Sequence, residues 1–243
     1  MGNPLLLAAG EVGGGFFRER SSDTLPCQAR SDQLFCWDWA KDNVDRYGTP
    51  TVQHLEIVLI SVLIGFVVAF TLALLAHRRR RLQPPLLAAT GVLYTIPSIA
   101  FFFLLLPLTG FGRDTAIIVL AAYTLQIIYR NAILGLANVP DSVKDAARGM
   151  GFTDRQILWK VELPLAIPEI VAGLRVAIVS TIAIATLVVF INAGGLGTQM
   201  YGSGNLTFPT SIVIAAVIVM AMALVFDLVL LTAQRLATPW RRV

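Results

Sequence analysis

The sequence predicts an all-α integral membrane protein: five transmembrane helices, with one long polar loop between the third and the fourth. Three observations carry that prediction. Of the 243 residues, 56% are hydrophobic and 14% charged, and the mean hydropathy is +0.72, whereas a soluble domain carries roughly a quarter charged residues. Five apolar runs are long enough for a helix to cross the hydrocarbon core, which takes about twenty residues. The basic residues that flank those runs gather mostly on one side, as the positive-inside rule expects. These clusters account for the formal net charge of +4. They point to membrane lipid and not to a nucleic-acid partner.

Residues 1–50 read as a polar extracytoplasmic arm and 51–243 as the membrane domain. The opening MGNPLLLAAG has no basic n-region, and its apolar run is too short for a signal peptide. Gly13–Gly15 and Pro26 argue against regular structure early in the arm, while Asp38–Tyr47 suits a short helix. Trp37, Trp39 and Tyr47 are either interface anchors or residues that pack the arm onto the domain. The first span, 55–76, ends at His77 and Arg78–Arg81. The second, 86–108, contains Pro97, which removes a backbone donor and should kink the helix. The third, 115–136, carries Arg130 and Asn131 at its inner end. The fourth, 170–191, holds Arg175 in its first turns, and a glycine-rich passage follows from Asn192 to Pro209. The fifth, 210–231, bears Asp227.

Orientation follows from charge. Arg78–Arg81, Lys144, Arg148, Arg155, Lys160, Arg235, Arg241 and Arg242 share one side; between the second and third spans only Arg113 appears, and between the fourth and fifth there is none. The first group is expected in the cytoplasm, which puts the N-terminus outside and the C-terminus inside. Cys27 and Cys36, the only two cysteines, then fall on the outer face, where disulfides persist. They are close enough in sequence for loop closure to be easy, and a bridge is expected.

The polar loop, 138–168, opens with the helix formers Asp145–Arg148, broken by Gly149 and Gly151. A second helical run, Asp154–Val161, should stop at Pro164 and Pro168, with Thr153 or Asp154 capping its start. The expectation is two short helices joined by a glycine elbow and lying across the membrane surface.

This loop resembles the coupling loop in membrane subunits of ATP-binding cassette importers, which reads Glu-Ala-Ala, three residues, Gly, nine residues, Ile, one residue, Leu-Pro. Here Asp145-Ala146-Ala147 is followed at that spacing by Gly151, Val161 and Leu163-Pro164, with Asp for Glu and Val for Ile. From about His54 to Leu236 the chain also resembles permeases of importers for glycine betaine, choline, carnitine and proline betaine. Tyr94–Ser98, Tyr129–Asn131, Val161–Leu165, Ala172–Arg175 and Gly194–Gly197 carry that likeness. Related methionine permeases share a similar glycine-rich passage.

The resemblance implies a type I ABC importer permease fold in the plasma (inner) membrane. It implies a second permease subunit, same or similar, an extracytoplasmic substrate-binding protein, and ATPase subunits on the cytoplasmic side. The chain has no glycine-rich loop ending in Lys-Ser or Lys-Thr, so ATP and Mg are expected in the partner ATPase. This subunit is expected to hold no cofactor or metal and to be no enzyme by itself. The implied activity is import of a quaternary-amine osmoprotectant by alternating access, with methionine or another small nutrient as the alternative. A channel or exporter is disfavoured, because a channel needs no ATPase lever.

On this reading Asp145, Ala146 and Ala147 seat on the ATPase, Gly151 provides the bend, and Val161, Leu163 and Pro164 join the lever to the fourth span. Arg130 and Arg175 either form an inner gate or loop support, pairing with Asp227, Glu169 or Glu162, or else snorkel to the interface. For the translocation path the candidates are Tyr94, Pro97, Ser98, Phe101, Asn192 and Tyr201. A broken helix and glycine-rich backbone belong beside a cavity, and aromatic faces suit a quaternary ammonium. Ordinary packing is the competing reading for these aromatics.

Overall fold

The computed structural model describes residues 35–202 and 209–238. Helix α1 (Trp37–Asp42) and a 3-10 turn (Val44–Tyr47) lead into the long α2 (Gly48–Arg78). A 3-10 turn at Arg80–Leu82 precedes α3 (Gln83–Thr95), α4 (Ser98–Thr109) and α5 (Arg113–Ala137). Then come α6 (Asp141–Gly149), α7 (Asp154–Ile157), a π-helical segment (Leu158–Glu162) and α8 (Leu163–Ile184), which tightens into a 3-10 segment at Ala185–Ile191. Two helices follow, the short α9 (Gly197–Tyr201) and the long α10 (Pro209–Ala237). No strand occurs among the described residues.

Four helical stretches are long and apolar enough to cross a membrane, and α3 with α4 makes a fifth if the bent pair is one span. That pair turns through 97°, so the kink expected at Pro97 is a full break. Proline excludes the preceding residue from helical backbone, and Ile96 and Pro97 are both extended, with ψ of 127° and 131°. The Ile96 carbonyl, freed from the helix, accepts from the Tyr123 hydroxyl, which meets the need of a bare carbonyl at this depth.

A second departure lies in the polar loop. Pro164 and Pro168 do not stop the helix begun at Asp154, because one helical stretch runs from Asp154 to Ile191. The π segment explains how. The Leu163 N–H reaches back five residues to the Leu158 carbonyl, and this wider turn takes up the bond that Pro164 cannot make. Only α6 is therefore a separate short helix, and the second helix of the loop is the first turns of the fourth span.

Lipid offers no hydrophobic drive between spans, so close van der Waals packing holds them. The buried face of α2 is a stripe of small residues, Ser61, Gly65, Ala69, Ala73 and Ala76, set against α5. A Cβ on Gly65 would overlap Thr124 and come within 2.9 Å of the Ala121 carbonyl. On the other side of α5, Gly173 of α8 lies so near Asn131 that an added Cβ would sit 2.5 Å from its Cβ. Thus α5 is the central helix, clasped by α2 and α8.

The core forms two tiers. One gathers Ile57, Val58, Phe102, Val119, Leu120, Ile182, Val188 and Leu196. The other, nearer the basic end, gathers Ala69, Ala73, Ile128, Tyr129, Leu136, Leu158, Leu163 and Ala166. Helix α10 is the least covered span, with 11% of its apolar window buried against 39–44% for the other three. The end of the arm is fastened to α10: the Cys36 N–H donates to Thr210 Oγ1 at 2.9 Å, and Tyr47 hydrogen-bonds Ser211. Trp39 and Tyr47 are buried, so they pack the arm onto the bundle, whereas Trp37 is exposed.

Candidate coupling site at the basic end of the bundle

Helix α6 starts directly after Pro140 and ends in a glycine motif. Gly151 has φ +82°, its N–H donates to the Arg148 carbonyl at 2.9 Å, and the Phe152 N–H donates to the Ala147 carbonyl at 3.1 Å. This pair of bonds is a Schellman closure, which needs a left-handed residue where Gly151 stands. Helix α7 begins at once with a capping box: Gln156 N–H donates to Thr153 Oγ1, and Thr153 N–H to Gln156 Oε1. Of the two caps expected, Thr153 is the one used. The elbow between α6 and α7 is thus built from local bonds alone.

The two faces of α6 differ. Asp141, Ser142, Val143, Asp145, Ala146 and Arg148 are exposed, while Lys144 and Ala147 are buried. Asp145 and Ala146 therefore face outward, and Ala147, expected beside them on the docking face, is turned into the chain. Val143 and Met150, which the sequence reading did not single out, extend the outward face with exposed apolar groups. The spacing 143, 146, 150 was the signal available for them. Val161 and Pro164 are half-buried and Leu163 is buried, so they fix the start of α8 and present nothing outward.

Beneath α6 a cleft of about 750 Å³ opens, lined by His77, Arg80, Lys144, Arg148, Arg155 and Glu162 among others. At its floor the Glu162 carboxylate meets His77 Nε2 at 2.8 Å and Lys144 Nζ at 3.8 Å, and Lys144 also donates to Asp141 at 3.1 Å. Of the acids weighed for the two arginines, Glu162 thus holds His77 and Lys144. Arg175 takes Asp227, with Nε to Oδ1 at 2.9 Å and Nη2 to Oδ2 at 2.8 Å, a fork between α8 and α10. Nearby, Gln234 of α10 donates to the carbonyl of Pro168. Arg130 is exposed on α5.

The translocation candidates divide into two groups. Tyr94 and Phe101, on either side of the break at Pro97 and Ser98, both set their ring edges against Tyr123, at 5.7 and 5.9 Å. Phe101 is buried and Tyr94 exposed. Tyr123, absent from the sequence reading, is the hub of that corner. Asn192 stands in left-handed backbone, φ 56°, and Tyr201 lies 5.5 Å from Phe190. The glycine passage is held to α2, where Gly195 N–H donates to Gln53 Oε1 at 3.2 Å. Cys27 lies outside the described residues.

A bundle of apolar spans with a proline-broken helix and a polar elbow at its basic end defines a multi-pass helical membrane protein. Residues 61–243 match the family described as "Binding-protein-dependent transport system inner membrane component", and the chain belongs to that family. Among curated relatives, the choline transport system permease protein OpuBB of Bacillus subtilis (strain 168) is 36% identical over 189 residues, 78% of this chain and 87% of that one. The carnitine transport permease protein OpuCB of Listeria monocytogenes is 37% identical over 199 residues, covering 82% and 91%. The osmoprotectant import permease protein OsmW of Salmonella typhimurium is 34% identical over 203 residues, covering 82% and 94%. Among solved structures, an inward-facing form of the MetNI methionine ABC transporter superposes with a TM-score of 0.73 at 22% identity, over 79% of this chain and 96% of that one. An amino acid ABC transporter with histidines gives 0.67 at 20%, covering 82% and 98%. At those identities the two structures speak for the fold alone.

Proposed function

We propose that this chain is the permease subunit of an ATP-driven importer, and that it moves a quaternary-amine osmoprotectant such as glycine betaine or choline across the inner membrane by alternating access. The observation that carries the substrate class is the set of relatives named for choline, carnitine and osmoprotectants, at 34–37% identity over most of the chain. The basic end is the cytoplasmic one, with the N-terminus outside and the C-terminus inside. Separate ATPase subunits, which use ATP and Mg, dock on the outward face of α6 through Asp145, Ala146, Val143 and Met150. An extracytoplasmic binding protein delivers the solute at the other end, and a second permease subunit completes the path.

The mechanism follows from the elbow. Closure of the ATPases pushes on α6, and α7 carries that push without a joint into the fourth span through the π segment. A lever made of two loose helices would lose the motion at its second hinge, whereas here α7 runs on into α8 and the bend after α6 is held by the two bonds of the Schellman turn. Of the path candidates, Pro97 and Asn192 stand where the backbone leaves regular helix, Tyr94, Ser98 and Phe101 lie within a turn of the break at Pro97, Tyr201 ends α9, and Tyr123 joins them. Arg175 with Asp227 ties the fourth and fifth spans as a gate element. The test is reconstitution with the ATPase and the binding protein, followed by uptake of labelled solutes. ATP-dependent uptake of a quaternary amine is expected, and uptake of methionine with no quaternary amine would overturn the substrate class while leaving the importer.

A further inference from the structure

We infer that Glu162 is a positioning residue for transport, the ionic tie through which movement of α6 reaches the first span as well as the fourth. The inference rests on the proposed role of α6 as the ATPase docking helix. Glu162 belongs to the π segment at the root of α8, His77 to the end of α2, and Lys144 to the inner face of α6. One carboxylate therefore joins three elements. Its Oε2 meets His77 at 2.8 Å and its Oε1 meets Lys144 at 3.8 Å.

Burial separates this cluster from ordinary surface pairing. The side chains of Glu162 and Lys144 are each 9% exposed and that of His77 18%, while Arg148 and Asp154, which also link α6 to α7, are 56% and 94% exposed. The exposed pair is screened and weak. Buried charges are expensive to desolvate, and apolar residues of the same size often serve stability as well or better. What ionic groups add is direction: a carboxylate accepts only from donors placed at its two oxygens. The Lys144–Glu162–His77 chain sets the position of α6 against two spans together. When α6 is pushed, the load divides between α8, through the continuous backbone, and α2, through His77. Both helices clasp α5, so the bundle is driven from two sides.

The test uses the complete transporter in proteoliposomes, with its ATPase and binding protein, and reads solute imported per ATP hydrolysed. Glu162→Gln keeps the size and an acceptor for His77 but removes the charge that faces Lys144. The variant should retain the ATPase on purification and still hydrolyse ATP, while the import ratio falls about tenfold, inside the range usual for coupling between sites. Adding Lys144→Gln to Glu162→Gln should produce little further loss, since both remove one interaction. If Glu162→Gln fails to reach the membrane, His77→Leu, which has no donor for Glu162, cuts the tie at its α2 end and the same ratio is read. An unchanged ratio in the variant that inserts, even with less transporter in the membrane, means that Glu162 is structural only and overturns the inference. A wild-type chain that retains no ATPase would instead sink the docking role of α6, and this inference with it.

Discussion

Replacing Gly151 by valine isolates the elbow from everything else in the protein. Gly151 has φ +82°, and a Cβ built there meets no atom within 4 Å. The penalty is therefore one of backbone conformation and not of space. Left-handed backbone costs an ordinary L-residue about 1–2 kcal/mol, and a β-branched one is worse placed still. The two hydrogen bonds of the Schellman closure contribute about 0.5–1.5 kcal/mol each. Penalty and reward are comparable, so the turn opens in part while the spans, held by their own packing, remain inserted. A shift of about 1–2 kcal/mol changes the ratio of closed to open elbow by about 5–30-fold, and that factor is the upper bound on the fall in uptake. Gly151→Asn is the control, because asparagine accepts left-handed backbone and should keep most activity. Uptake in proteoliposomes, at matched amounts of permease in the membrane, is the assay. Asp145→Lys reverses a charge on the outward face of α6, where the side chain is 69% exposed, and should lose the ATPase on purification while the protein stays folded. Normal uptake by Gly151→Val and Asp145→Lys together would show that the loop is a connector. Equal loss in Gly151→Asn and Gly151→Val would show that any side chain, and not the dihedral, is at fault.

Three further outcomes are expected. Gly65→Val meets the Ala121 carbonyl and Thr124 across the closest approach of α2 and α5, and overpacking of this kind costs about 1–3 kcal/mol or more; its melting temperature in detergent should drop, while Gly48→Ala, with nothing within 4 Å, should match the parent. Arg175→Gln or Asp227→Asn alone leaves one charge unpaired between α8 and α10, so each single variant should reduce the yield of stable permease more than the double variant does; additive losses would dismiss the pair as a unit. For Cys27 and Cys36, a membrane-impermeant maleimide should label only after reduction, and ready labelling without reductant would rule out a bridge.

Much of the fold was legible because it depends on neighbours in sequence. The length of each apolar run announces a span, since a helix that satisfies its own backbone is what lipid permits. An interruption at Pro97, an elbow at Gly151 and a cap at Thr153 or Asp154 are expected from what proline, glycine and a capping side chain do to the adjoining residues. The expected stop at Pro164 and Pro168 failed because a π turn can absorb a missing donor, and whether it does depends on what holds the helix on either side. In the site, the left-handed turn at Gly151 could be read directly, whereas the burial of Ala147 on the inner side of α6 could not.

What the sequence alone determined, then, is which runs are long and apolar enough to span, where the chain is polar between them, and which end of the bundle is basic. Only the tertiary structure decided how each helix is turned about its axis and which distant groups meet. In a soluble helix the apolar stripe reveals the buried face, but a span that is apolar all round hides it. Nothing in α2 by itself says that Gly65 faces Thr124. Nor does it say that His77 meets Glu162, 85 residues away, or that Arg175 meets Asp227, 52 residues away. Those pairings depend on the rotation and register of packed helices, which small residues allow by letting the backbones come close and which only the assembled bundle selects.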